Sequence, residues 1–383
     1  MKTTPIPLNY LTLFCLLWIF LGSCQAQPHG PVIQEEKNVD YHYTTVVDDI
    51  PIPWGMAFLP NNELLVTEKS GTLYRVTDGI KKEIEGVPPV YVRGQGGLLD
   101  VALSPNYTET KHIYLTLSSS LGEEKGGHTA LYRAQLDGHK LENVTLLYKG
   151  EGNTKKGQHW GSRIAFDQNE HLYFSIGDRG NREQNPQDTT RDAGKIYRLH
   201  LDGSIPKDNP FVEQAGNKKA IFSFGHRNPQ GMLTHPKTGE IWVHEHGPKG
   251  GDEINVIRKG KNYGWPIITY GINYSGTPIT SETEKQGMEQ PLYYWVPSIA
   301  PSGMAFSTSG NYPEWKDQLF VGSLKFQYLE RLVLKNNRVI ERHKVLDSIG
   351  RVRNVKQGPD GYLYVGVEGK GILKIVPDQT SVK

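Results

Sequence analysis

The sequence predicts an all-β fold, a six-bladed β-propeller, on three observations. Glycine (42), proline (24) and tyrosine (20) are plentiful among its 383 residues, which favours many strands and turns over long helices. One unit recurs six times: a short apolar strand, a Pro/Asn/Asp/Gly turn and a second β-rich strand. The units start roughly 45 to 70 residues apart, a spacing that suits one blade each with insertions between them.

In chain order the units are GMAFLPNNELLVTEKSGTLYRV from Gly55, LDVALSPNYTETKHIYLTL from Leu99 and SRIAFDQNEHLYFSIGD from Ser162. QGMLTHPKTGEIWVHEHG follows from Gln230, SGMAFSTSGNYPEWKDQLFVGSL from Ser302 and VRNVKQGPDGYLYVGVEGKGILKIV from Val352. In most, a third strand such as TLYRV, KIYRLHL or ILKIV comes next, and the alternation fits antiparallel hairpins. A pair of β-sandwiches would leave six similar units unexplained. A propeller must also close its ring, and YHYTTVV (41 to 47) is placed to add a strand to the last blade, hiding its edge. Long stretches at 177 to 222 and 258 to 300 read as insertions, and blade-joining loops gather around the axis to form an active site.

Ahead of the repeats lies a targeting segment. Lys2 supplies a positive start, and LTLFCLLWIFL (11 to 21) is an apolar run too short to span a membrane. It ends in LGSC, Leu21 to Cys24, which resembles a bacterial lipobox. The expected organisation is a signal peptide over 1 to 24 ending at a lipidated Cys24, a polar tether over 25 to 40 and one propeller domain over 41 to 383. The alternative is a plain secretory signal with an incidental Cys24; either way the protein is expected to be exported, as a periplasmic or cell-envelope lipoprotein in the first case. Cys15 leaves with the signal, so no intrachain disulfide is expected. The composition, 37% hydrophobic and 22% charged, is that of a soluble globular protein, and a net charge of +2 without a basic block argues against nucleic-acid binding.

Residues suited to chemistry cluster just before the first strands of the units. His159, in KGQHWGSR, is a natural general base because an imidazole titrates near working pH; a hydrogen-bonded structural histidine is the alternative. Arg227 and Asn228, in GHRNPQG, can steady charge on a carbonyl or carboxylate oxygen, or can simply hold a loop. Gln95 sits on the glycine-rich turn RGQGGLLD, which lacks the spacing of a phosphate loop. Arg351 and Arg353 stand two apart on one face of a strand, a pair that suggests recognition of a multiply charged anion or is simply a solvated strand edge; Lys325 enters from the preceding blade. HEHGPKGGDEINVI (244 to 257) invites a metal reading. His244 and His246 lack a zinc partner spacing, whereas a tight Gly247–Pro248 turn can aim carbonyl oxygens and Glu253 adds a carboxylate, which favours calcium.

GQGGLLDVALSP, GKIYRLHLDGSIPKDNPF, RNPQGM, EHGPKGGDEIN, GKNYGWP, GINYSG and GPDGYLYV, in this order over about residues 45 to 377, resemble the PQQ-dependent aldose sugar dehydrogenases of the glucose/sorbosone dehydrogenase superfamily. The resemblance implies a six-bladed propeller with pyrroloquinoline quinone (PQQ), a tricarboxylate ortho-quinone, at the axial face. It implies that His159 takes the proton from the sugar's C1 hydroxyl while hydride passes to the quinone C5 carbonyl, and that Arg227 steadies the reduced quinone. Asn228 and Gln95 are implied as neighbours of cofactor or substrate, and Lys325, Arg351 and Arg353 as partners of the cofactor's carboxylates. One calcium is implied on the carbonyls of Gly247 and Pro248, and a second, structural one on Glu253 and Tyr263. The expected reaction is aldose to lactone, with electrons going on to an acceptor that the sequence does not identify, in a monomer or homodimer. Gln158 and Trp160 depart from the family pattern beside His159 and bear on sugar choice. A calcium-dependent lactonase and a non-catalytic glycan- or protein-binding propeller are the alternatives.

Overall fold

The computed structural model describes residue 1 and residues 31–37 and 40–378; Cys24 and the rest of the signal segment lie outside the described residues. Six sheets follow one another along the chain. Blade 1 is Pro53–Phe58, Leu64–Glu68, Thr72–Thr77 and Ile80–Ile84; blade 2 is Leu98–Leu103, His112–Ser119, His128–Asp137 and Lys140–Lys149. Blade 3 is Ile164–Phe166, Leu172–Ile176, Lys195–Leu199 and Ile221–Phe224; blade 4 is Pro229–Thr234, Ile241–Glu245, Asp252–Val256 and Tyr293–Trp295. Blade 5 is Pro301–Ser307, Gln318–Ser323, Leu329–Lys335 and Arg338–Val345; blade 6 is Val352–Gln357, Leu363–Val367, Gly371–Pro377 and the early strand Tyr41–Val47. All pairings within these blades are antiparallel, and the first strands touch their neighbours around a closed ring, blade 6 meeting blade 1.

This is a six-bladed β-propeller, and YHYTTVV closes it as expected, pairing Tyr41 with Pro377 and Val47 with Ile372. The core is distributed: six apolar clusters lie one at each junction between adjacent blades. Alternation explains the pattern, since each sheet offers one apolar face to either neighbour. The outer strands escaped the repeat because they are polar and largely exposed, as in Lys140–Lys149. For the same reason the stretches read as insertions, 177 to 222 and 258 to 300, contain outer strands of blades 3 and 4 as well as loops.

Part of the expected polar tether is anchored to the propeller. Ile33–Glu35 pairs in parallel with Arg342–Lys344 on the outer edge of blade 5. Its charges find partners there: Lys344 reaches Glu35 at 2.7 Å, and Arg331 reaches Glu36 at 2.6 Å. Near the axis Arg163 ties blades together. Its Nε donates to Gln230 O at 2.8 Å, Nη1 to Trp54 O and Asp100 Oδ1 at 3.1 Å each, and Nη2 to Arg353 O at 3.0 Å.

Candidate active site

In this topology the loop before each first strand and the loop between second and third strands open on the same face. That brings residues from three blades around His159. Gly94, at φ 57°, lets the blade 2 loop pass so close to Gly157 that a Cβ there would lie 2.5 Å from its carbonyl oxygen. The approach seats Gln95, whose backbone N–H donates to Gly157 O at 2.7 Å and whose Oε1 accepts from His159 N at 2.8 Å. His159 itself is held at φ 57°, a left-handed conformation that costs a non-glycine residue and is typical of functional positions.

The imidazole is fixed by Asp178, from the loop between the second and third strands of blade 3. His159 Nδ1–H donates to Asp178 Oδ1 at 2.6 Å; Asp178 Oδ1 also takes the Gly180 N–H at 2.7 Å, and its Oδ2 takes Trp265 Nε1–H at 2.9 Å. That arrangement leaves Nε2 as the ring nitrogen available to a ligand. Burial and the nearby charge of Arg227 hold His159 below the usual imidazole pKa, with Asp178 opposing them, so the ring is neutral at neutral pH. Burial works to raise Asp178, but the hydrogen bonds it accepts from His159 and Gly180 and the nearby charge of Arg227 outweigh this and keep it ionised.

His159, Gln95, Gln158, Arg227, Pro248 and Trp265 line one cavity of ≈ 430 Å³. Arg227 is held from both ends. Its backbone N–H donates to Glu245 Oε2 at 2.6 Å, and Nη1 donates to His246 O at 3.0 Å and Gly247 O at 2.8 Å. Behind the cavity, Arg179 lies 3.3 Å from the centre of the Trp160 ring and donates to the carbonyls of Gln158 and Lys156, bracing the loop that carries His159.

Other expected residues stand further from His159. Asn228 is fully buried behind the wall; its Oδ1 accepts from Gly161 N at 3.2 Å, and its Nδ2 has no partner. Lys325 is exposed on the same face, its Nζ 4.8 Å from the Phe326 ring centre. Arg351 and Arg353 are bridged by Glu368, Arg351 Nε at 2.7 Å and Arg353 through Nε at 3.1 Å and Nη2, so the pair is not a bare dication. His244 and His246 donate to the blade 5 carbonyls of Gly303 at 3.3 Å and Pro301 at 2.7 Å, a structural use. Asp252 spends its carboxylate on Gly247 N (2.8 Å), Ile299 N (2.7 Å), Ala300 N (2.9 Å) and Ser298, which sets the Gly247–Pro248 turn.

Glu253 and Tyr263 line a second, much smaller cavity of ≈ 10 Å³ together with Glu245. Withdrawal from water and the charge of Glu245 push the Glu253 carboxyl well above the usual range. Asn255 donates to Glu253 Oε2 at 3.1 Å and to Glu245 Oε1 at 3.3 Å, but its own Oδ1 is buried with no partner. Two carboxylates lining one small space fit a hard cation. The Tyr263 hydroxyl is spent elsewhere, donating to Val256 O at 2.7 Å and accepting from Arg258 N at 2.8 Å. Among the described residues no cluster of three or more His, Cys, Asp or Glu forms a metal cage, so carbonyl and amide oxygens would share in any site. The cationic face around His159, with Asp178 committed to its neighbours, suits a polyanionic planar group.

Asp178, Trp265, Glu245 and Glu368 escaped sequence reasoning. Asp178 carried one usable signal: it ends SIGD, at the strand-to-loop position that opens on the His159 face.

Fold and site together define a six-bladed β-propeller with a histidine-centred cavity on one face, and its relatives make it an oxidoreductase. The chain belongs to the glucose/sorbosone dehydrogenase family, whose family model matches residues 50–374. It is similar to aldose sugar dehydrogenase YliI of Escherichia coli, 40% identical over 339 residues, covering 86% of this chain and 91% of the relative. The solved apo-form of the soluble aldose sugar dehydrogenase from Escherichia coli superposes with a TM-score of 0.85 at 39% identity, covering 88% of this chain and 100% of the other. The PQQ-bound aldose sugar dehydrogenase of Streptomyces coelicolor superposes with a TM-score of 0.71 at 28% identity, covering 89% and 99%.

Proposed function

We propose that the protein oxidises aldose sugars at C1 to lactones, dependent on PQQ and calcium, with His159 as general base. The observation that carries this reading is the His159–Asp178 pair, a neutral imidazole with its free nitrogen available in a cavity that Arg227 also lines. The PQQ-bound relative supports the cofactor. Bound PQQ would supply the hydride acceptor. His159 Nε2 would take the C1 hydroxyl proton, and Asp178 would steady the imidazolium that results. Arg227 would stabilise negative charge developing opposite the sugar, and Gln95 would keep the His159 backbone in place. Lys325, Arg351 and Arg353 would meet the cofactor's carboxylates, with Glu368 setting the spacing of the arginines. The carbonyls of Gly247 and Pro248 would hold the calcium beside the cofactor. The second calcium would lie at Glu253, with Tyr263 contributing its main-chain carbonyl since its phenol is occupied. The LGSC sequence supports a lipid tether at Cys24 in the cell envelope. A lactonase reading fits less well, because the carboxylate in the large cavity, Asp178, is spent on His159, Gly180 and Trp265.

The test is dye reduction by purified protein given PQQ and calcium, across a panel of aldoses. Sugar-dependent reduction is expected only with PQQ present; lactone hydrolysis without PQQ, and no reduction by any sugar, would overturn the proposal. The pH profile of kcat/KM should be flat around neutrality and fall on the acid side only below the usual imidazole range of about 6.5, because His159 is depressed and works unprotonated. A fall beginning above neutrality would place the base elsewhere.

Glu253→Gln separates the second calcium from the first. In metal-free protein the change removes a like-charge contact with Glu245 and should leave Tm equal or higher. Calcium at a hundredfold over Kd stabilises by about 2.7 kcal/mol per site, and the variant should lose one such increment in a calorimetric scan. An unchanged calcium shift would show that no ion binds at Glu253.

A further inference from the structure

We propose that the groove between blades 4 and 5 binds the electron acceptor, and that this acceptor is a lipophilic quinone. The proposal rests on the sugar-dehydrogenase reading, under which two electrons must leave the catalytic cavity in every turnover.

The groove encloses ≈ 940 Å³, against ≈ 430 Å³ for the cavity around His159, and falls in the size class of small-molecule sites of about 300–1,000 Å³. Tyr270, Tyr294, Val296, Phe326 and Tyr328 are among its lining residues. Val296 is 59% exposed and Phe326 41%, so both offer apolar surface to a ligand in the groove. Tyr270 and Tyr294 stack at 3.6 Å with 9° between their planes, and Phe326 and Tyr328 run parallel within 8°. Flat aromatic walls suit a planar ring, and the volume of the groove leaves room for a hydrocarbon tail.

The groove and the catalytic cavity share a thin wall. Pro248 lines the cavity and Gly271 lines the groove. A Cβ added to Gly271 would lie 2.7 Å from Pro248 Cδ and 2.3 Å from Gly250 O, so the two segments are in direct contact and only a glycine fits. Lys249 N–H donates across the same wall to Ile272 O at 3.2 Å. The loop then continues through Asn273 and Tyr274 into the cavity lining. Electrons crossing this layer reach the groove without passing through solvent. Pro31 and Ile33 border the groove as well, and the lipid proposed on Cys24 lies only seven residues from Pro31, a reach of at most about 25 Å that would keep the groove near a membrane.

The balance is complete. Oxidation of the sugar breaks the C1–H and O–H bonds, forms the C1=O bond and releases two electrons and two protons. The quinone takes up two electrons and two protons at its carbonyl oxygens and leaves as the hydroquinone, so the cavity returns to its oxidised state.

The test is a titration of PQQ-free protein with decylubiquinone, followed by quenching of intrinsic tyrosine and tryptophan fluorescence. Saturable quenching is expected, and Val296→Asp and Phe326→Ala should each weaken it about tenfold, the loss of roughly one well-packed apolar contact. Both side chains are exposed, so neither change removes core packing. In PQQ-loaded enzyme Val296→Asp should slow decylubiquinone reduction by a similar factor and leave sugar-dependent reduction of a small water-soluble dye unchanged. Intact dye reduction with no saturable quenching, or with quenching equal in wild type and variants, would overturn the groove assignment alone. Loss of dye reduction in the wild type, even with quinone bound, would sink the dehydrogenase reading and the acceptor role with it.

Discussion

Replacing His159 by alanine is expected to lower kcat with any accepted aldose by about 10²–10⁴-fold, the usual contribution of a positioned general base. The reason is geometric. The imidazole is held by one strong bond to Asp178 at 2.6 Å and by a backbone that only the surrounding loop can keep at φ 57°. Cofactor binding should survive, because the cations proposed to hold it, Arg227, Lys325, Arg351 and Arg353, are untouched; PQQ titration of the variant checks this. Asp178→Asn is the informative companion. An amide at this position can no longer fix the tautomer that leaves Nε2 unprotonated, so kcat should fall while KM changes little. Turnover of His159→Ala within a few-fold of wild type would remove His159 from the mechanism.

Arg163→Met is expected to cost about 3–5 kcal/mol of stability, the range for leaving one partner of a buried ion pair uncompensated. Arg163 and Asp100 are nearly inaccessible to water, and the guanidinium also satisfies carbonyls of Trp54, Gln230 and Arg353. Methionine fills similar volume but leaves Asp100 with only the Ile164 N–H and three carbonyls without their donor. Urea unfolding should show a lower midpoint with an unchanged slope, since the surface exposed on unfolding is the same. Restoring most of the loss by adding Asp100→Asn would confirm that the stranded carboxylate is the main cost. A loss below about 1 kcal/mol would mean that the ring does not depend on this contact.

The fold was legible because blades repeat: six turn-bounded apolar strands recur, and each set of first strands carries the same pattern. His159, Arg227 and Gln95 were legible for a related reason, since each precedes a first strand and all such loops share a face. What could not be read were partnerships between separate loops. Asp178 lies nineteen residues from His159 and Trp265 lies 87 residues from Asp178, yet the three form one hydrogen-bonded chain. Glu368 converts two apparently free arginines into a bridged pair, and nothing near Arg351 in sequence announces it. Ile33–Glu35 looked like tether because a three-residue strand pairing on one side has no periodicity to show.

The early strand Tyr41–Val47 also sets an order of events during synthesis. Its partner, Gly371–Pro377, emerges roughly 320 residues later, which at ~5–20 residues per second is a wait of about 15 to 65 seconds. Through that interval the strand is an unpaired edge, and its exposed, polar sequence of His42, Thr44 and Thr45 is the kind that resists sticking to other chains. The last blade is thus completed by a strand made before any of blade 1, and the ring can seal only once Gly371–Pro377 has emerged.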